Sequence, residues 1–133
     1  MRYLLDTNTC IAILTLRSEP VATRWRSLQS NQVRLSSVVK AELLFGAEKS
    51  SQRDRVLEKL RVFFARFRSM PFDDRAAEIY GEVRASLERQ GKPIGPNDLL
   101  LASIALSNEL TLVTHNTDEF SRVPELQLED WDA

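Results

Sequence analysis

The chain has 133 residues, 43% of them hydrophobic and 28% charged, with a net charge of −1. That describes one compact domain over residues 1–133 with a core of ordinary size, and its bulk charge does not advertise a nucleic-acid binder. The single cysteine, Cys10, excludes an internal disulfide, and no apolar run approaches the length that crosses a bilayer.

In chain order, Met1-Arg2-Tyr3 lacks the apolar segment of a signal peptide, so a cytoplasmic protein is expected. A first strand is predicted over Arg2 to Leu5, followed by a short helix near Asn8 to Leu14. Cys10 falls in that apolar stretch and reads as a small buried hydrophobe. Pro20 suits a first helical turn, and the helix continues from Val21 to Ser30. Gln32 to Leu35 is a second strand, and Ser36 or Ser37 caps a helix running to Ala47. A charged helix is expected from Arg53 to Arg68, then a brief extended piece at Met70-Pro71-Phe72. Asp73 or Asp74 caps a helix that runs to Gln90 and stops at Gly91. Pro96 fits the first turn of the next helix, Asn97 to Glu109, which is apolar nearly all round and therefore buried. Leu110 to Val113 is a last buried strand. Strands and helices alternating in this way predict an α/β/α sandwich around a mainly parallel sheet.

Three acids stand where the pattern does not ask for them. Asp6 follows the first strand directly, so it sits at the carboxyl end of the sheet, where open α/β folds bind ligands. Capping the next helix explains it equally well. Glu42 shares a helix face with Val38, Val39, Phe45 and Gly46. A carboxylate facing a core is expensive unless a cation or strong donors meet it. Arg34, Lys40 or a rim position would also account for it. Asp98, in the first turn of the buried helix, is favoured there by the helix macrodipole alone. Singly each has a plain explanation; together they meet at one sheet edge. Mg²⁺ and Mn²⁺ take oxygen ligands, and Mg²⁺ keeps several waters beside one or two carboxylates. Such a metal activates water for attack on a phosphodiester without a histidine base, and the only histidine is His115.

Four segments carry a family resemblance: Leu4-Leu5-Asp6-Thr7-Asn8, Ser36 to Ala47, Gly91 to Asp98, and Leu112 to Phe120. In order and spacing they resemble the signature blocks of the PIN-domain superfamily, most closely its VapC-type toxins of bacterial toxin–antitoxin systems. The likeness runs essentially end to end. It implies a Mg²⁺- or Mn²⁺-dependent endoribonuclease that cuts RNA, with transfer RNA, the initiator included, as the substrate of close relatives. It also implies inhibition by a cognate VapB-type antitoxin, and a homodimer. Asp6, Glu42 and Asp98 match the family's best-marked metal-binding acids. A fourth family acid falls where this chain has Asn116, which offers a neutral oxygen; Asp118 lies one short turn further on. That departure bears on a second metal, not on the fold.

Secondary signals are mixed. From Lys49 to Arg68 there are seven basic and two acidic residues, a pattern that suits a phosphate-rich partner or simply a solvated helix face. The same stretch holds Val56, Leu57, Leu60, Phe63, Phe64 and Phe67, which need a core, a second copy or an antitoxin helix. His115 reads as a local hydrogen-bonder, and Trp25 and Trp131 as packing residues. Phosphotransfer through an aspartyl nucleophile would want an acid at position 8 and a late lysine. The chain has Asn8, and no lysine follows Lys92. A non-catalytic RNA-binding module on the same fold is the remaining alternative.

Overall fold

The computed structural model describes residues 1–133. Five strands form one sheet in the order β3-β2-β1-β4-β5: β1 Tyr3–Leu5, β2 Val33–Ser36, β3 Arg68–Met70, β4 Thr111–Val113 and β5 Leu128–Glu129. Every pairing is parallel, so the sheet is fully rather than mainly parallel. Parallel strands are covered on both faces, which explains why Leu4, Leu5, Val33, Leu35, Leu112 and Val113 are at most 1% exposed.

Seven helices join the strands: α1 Thr7–Thr15, α2 Glu19–Arg26, α3 Ser37–Glu48, α4 Arg53–Ala65, α5 Asp74–Arg89, α6 Pro96–Ser107 and α7 Thr117–Phe120. Local chemistry sets their starts. Asp6, Ser18, Ser36 and Asp73 each accept a hydrogen bond from a backbone amide of the first helical turn. Gly91, with φ 68°, ends the turn after α5 in the left-handed region that glycine enters at little cost. Helix α6 buries Leu99, Leu101, Ala102, Ser103, Ile104 and Ala105, as its all-round apolarity demands.

The extended piece expected at Met70-Pro71-Phe72 lies at Arg68–Met70, α6 ends at Ser107 rather than Glu109, and two other helix ends move further. Helix α2 stops at Arg26, because Ser27 Oγ donates to the Arg24 carbonyl and a 3₁₀ turn over Ser30–Gln32 leads into β2. Helix α4 stops at Ala65, since Phe67 turns inward to pack on Phe63 and Trp25 while Arg68 joins β3 beside Arg34. One core of 29 buried residues runs through the whole molecule.

Candidate active site

Asp6 ends β1 and caps α1. Its Oδ1 accepts the Thr9 amide at 2.8 Å, and its own amide donates to the Val113 carbonyl at 3.1 Å, tying it to β4. The cap is as expected, and it leaves part of the carboxylate unused. One oxygen caps the helix, while the other makes no bond within the chain. Because no buried side-chain polar atom lacks a partner, that second oxygen opens to solvent.

Glu42 is half-buried on α3, six residues after the Ser36 cap. The compensating cations that the sequence offered are elsewhere. The Arg34 guanidinium donates to the carbonyls of Asn31 and Val33, and Lys40 Nζ lies 5.2 Å from the centre of the Phe64 ring. Glu42 takes part in no ion pair of the chain.

Asp98 sits in the first turn of α6, half-buried. Burial, then the charge of Glu119, then that of Glu42, and last that of Asp6 push its carboxyl up to about 6. The helix N-terminus that explained Asp98 from sequence favours a charged acid, yet this carboxyl resists ionisation. Burial, together with crowding by like charges, outweighs the dipole. Asp6, Glu42 and Asp98, far apart in the chain, are therefore electrostatic neighbours at the carboxyl end of the sheet. They do not close into a tight chelate: no three acidic, histidine or cysteine side chains come close enough to enclose an ion by themselves.

The structure adds Glu119, which the sequence reading passed over. Its Oε1 accepts the Gly95 amide at 2.7 Å and its Oε2 accepts from Asn116 Nδ2 at 2.7 Å. The Gly95 bond, followed by the Asn116 bond, holds Glu119 below the usual carboxylate range despite its partial burial. Gly95 lies against both acids: a side-chain carbon built there would be in ordinary contact with Asp98 Oδ2 at 3.5 Å and Glu119 Oε1 at 3.6 Å. Asn116 thus anchors Glu119. Asp118 is exposed and is not among the groups that act on Asp98. The signal that could have found Glu119 is its place three residues after the Asn116 cap, the spacing of a capping pair. A four-residue helix is too short for periodicity to reveal it.

His115 is the local hydrogen-bonder its sequence suggests. Its Nδ1 lies 2.9 Å from Asp130 Oδ2, a local partner. Cys10 is fully buried, and burial, with the nearby Asp6 charge, raises its thiol far out of reach of nucleophilic chemistry. Trp131 packs edge-on against Tyr3, and Trp25 against Phe67.

The family profile of the PIN domain matches residues 3–126. The chain is 42% identical over 132 residues to the tRNA(fMet)-specific endonuclease VapC of Shigella flexneri, covering 98% of each chain. It is 40% identical to Ribonuclease VapC2 of Rickettsia felis, covering 99% of each. Its fold superposes on the crystal structure of VapBC2 from Rickettsia felis bound to a DNA fragment from their promoter. There the TM-score is 0.91 at 39% identity, over 99% of this chain and 100% of that one. DNA-bound VapBC from Salmonella typhimurium matches with the same TM-score at 38% identity, over 98% of both chains. The chain belongs to the PIN-domain family and, within it, to the VapC ribonucleases.

Proposed function

We propose that this protein is a divalent-metal-dependent endoribonuclease that cuts transfer RNA, acting as a toxin held inactive by a cognate VapB-type antitoxin. The observation that carries the reading is the meeting of Asp6, Glu42, Asp98 and Glu119 at one edge of the sheet, where burial first, and then the charges of Glu119, Glu42 and Asp6, push the Asp98 carboxyl up to about 6. Carboxylates held this close repel each other, and a cation between them turns that repulsion into attraction. The donors are carboxylate oxygens with an amide beside them and no thiol or free imidazole, a set that fits Mg²⁺ or Mn²⁺. The open arrangement suits an ion that keeps several waters and takes only one or two carboxylates directly.

Asp6, Glu42, Asp98 and Glu119 would surround the cation, one or two of them touching it directly and the others through its waters. Gly95 and Asn116 fix Glu119 before any ligand arrives. A divalent ion held there would supply water activation and charge stabilisation at a phosphodiester. Asp98 releases its proton as the site fills. Thr9 steadies the same corner by donating through Oγ1 to the Val113 carbonyl at 3.3 Å.

The names of the relatives support the substrate and the partner: one acts on tRNA(fMet), and the solved neighbours are VapBC pairs. An apolar groove of about 270 Å³, with Ile11, Leu14, Leu43, Val56 and Leu60 among its lining, has Glu42 at its margin. Phe45, on the same helix, is 64% exposed. This is the seat for an apolar antitoxin segment, close enough to the acids to block them. Helix α5 buries only Ala76 and Leu87 and leaves Ile79, Tyr80 and Val83 half-covered, which suits pairing with a second copy. The chain works as one unit over residues 1–133, in the cytoplasm; no helix is long and apolar enough to cross a membrane.

Purified protein incubated with transfer RNA and Mg²⁺ is expected to give discrete fragments that disappear with EDTA. Tight binding without cleavage would instead identify a non-catalytic RNA-binding module.

A further inference from the structure

The opposite end of the sheet carries charge of the opposite sign. Arg2 stands just before β1, Arg34 is the second residue of β2, and Arg68 opens β3. The parallel register sets Arg34 directly beside Arg68. It also pairs Leu4 with Arg34, and Arg2 lies two residues before Leu4, so strand alternation puts Arg2 on the same face. Like charges side by side on neighbouring strands are destabilising. None of the three arginines takes part in an ion pair, so no carboxylate of the chain offsets them.

Arg34 is the unusual member. It is only 8% exposed, whereas Arg2 and Arg68 are exposed and need nothing beyond water. Its Nη1 donates to the Asn31 carbonyl at 2.9 Å and the Val33 carbonyl at 3.2 Å. These bonds fix the guanidinium but use one nitrogen. Nε and Nη2 make no bond within the chain, and no buried polar atom is left without a partner, so this edge opens to solvent. The Nε–Nη2 edge is the planar fork that grips phosphate oxygens in pairs. Burial, with the charges of Arg2 and Arg68, pulls the Arg34 pKa down, the response of a cation lacking its anion.

We propose that Arg2, Arg34 and Arg68 form a phosphate site at the amino end of the sheet, away from the acids, and that it holds a backbone phosphate of the RNA being cut. Four residues of extended chain separate Arg2 from Asp6, about 13 Å at the strand rise. A folded RNA reaches from one site to the other, but a dinucleotide at the acids, with its single phosphodiester, does not. The choice of RNA rests on the function proposed above; the phosphate chemistry does not.

The test uses the exposed members, Arg2→Gln and Arg68→Gln, singly and together, with thermal unfolding to confirm that the fold is kept. Transfer RNA binding is measured in EDTA, so that nothing is cut, over a range of salt. Each substitution is expected to reduce the slope of log affinity against log salt by about 1, while binding of a dinucleotide stays unchanged. In parallel, inorganic phosphate is expected to raise the unfolding midpoint of the wild type but not of the double variant. An unchanged slope with transfer RNA overturns the RNA assignment. Equal stabilisation of wild type and double variant by phosphate overturns the site. Should the wild type not bind transfer RNA at all, the function reading fails, and the phosphate measurement still decides the arginine site.

Discussion

Asp98 is where sequence logic and structure part most clearly. At a helix N-terminus an acid is ordinarily favoured in its charged form. Here burial and three neighbouring acids raise its carboxyl to about 6. The sign of the linkage follows. A folded-state pKa above the unfolded value near 3.9 gives stability at low pH that is lost as pH rises from about 4 to 6. Without metal, therefore, Asp98→Asn is expected to be more stable than the wild type above pH 6, by about 1 kcal/mol after discounting for solvent screening at this half-exposed site. The advantage should vanish below about pH 4, where the wild-type carboxyl is protonated too. Thermal unfolding against pH, with EDTA present, reads this difference; a variant less stable than the wild type at pH 7 would mean that the acids do not crowd one another. Glu119 teaches the same lesson from the other side. Its spacing from Asn116 is the one local sign of it, and only the fold brings Gly95 across from another element to bind it.

Among the elements, those governed by local chemistry were legible. The caps at Ser36 and Asp73, the stop at Gly91 and the buried α6 all follow from short-range rules. Elements set by tertiary contacts were not. Helix α4 reads as continuing to Arg68, yet it ends early because the packing of Phe67 and the pairing of Arg68 with Arg34 outweigh helix propensity. The two-residue β5 and the single turn α7 are too short to leave a periodic trace. In the basic run Arg53 pairs with Glu48 and Asp54, and Arg61 with Glu58, while the other five cations take part in no ion pair, so most of the local excess of charge remains. At the turn between β1 and α1, Asp6 acts as cap and proposed metal ligand, and substitution separates the roles. Asparagine caps as well as aspartate. Asp6→Asn is thus expected to keep stability within about 0.5 kcal/mol and abolish cleavage, whereas Asp6→Ala also loses about 1 kcal/mol with the cap. Chemical denaturation alongside a transfer RNA cleavage assay distinguishes them; full cleavage by Asp6→Asn would remove Asp6 from the site.

For the whole molecule, the sheet order is what gives the chain its proposed chemistry. With β1 between β2 and β4, the segments that follow all three strands open at one edge, so acids from distant parts of the sequence become neighbours. The alternation of apolar runs made that convergence predictable; how closely the acids approach was not, because it depends on side-chain placement. The apolar groove beside Glu42 belongs to this scale as well. Replacing exposed Phe45 by alanine is expected to change stability by less than about 0.5 kcal/mol. It should weaken binding of the cognate antitoxin by tenfold or more, as loss of a buried aromatic contact does. Fluorescence titration checks this, and unchanged affinity would place the antitoxin elsewhere.

The account depends most on carboxylates from separate elements gathering a divalent cation around Asp98. Calorimetric titration of Mn²⁺ into the metal-free protein, at about pH 5 and pH 7.5, tests it directly, because a ligand must lose its proton to bind. The wild type should bind about tenfold more weakly at the lower pH, releasing protons as it binds, and Asp98→Asn should lose both the affinity and its pH dependence. Equal Mn²⁺ affinity in wild type and Asp98→Asn would contradict the account.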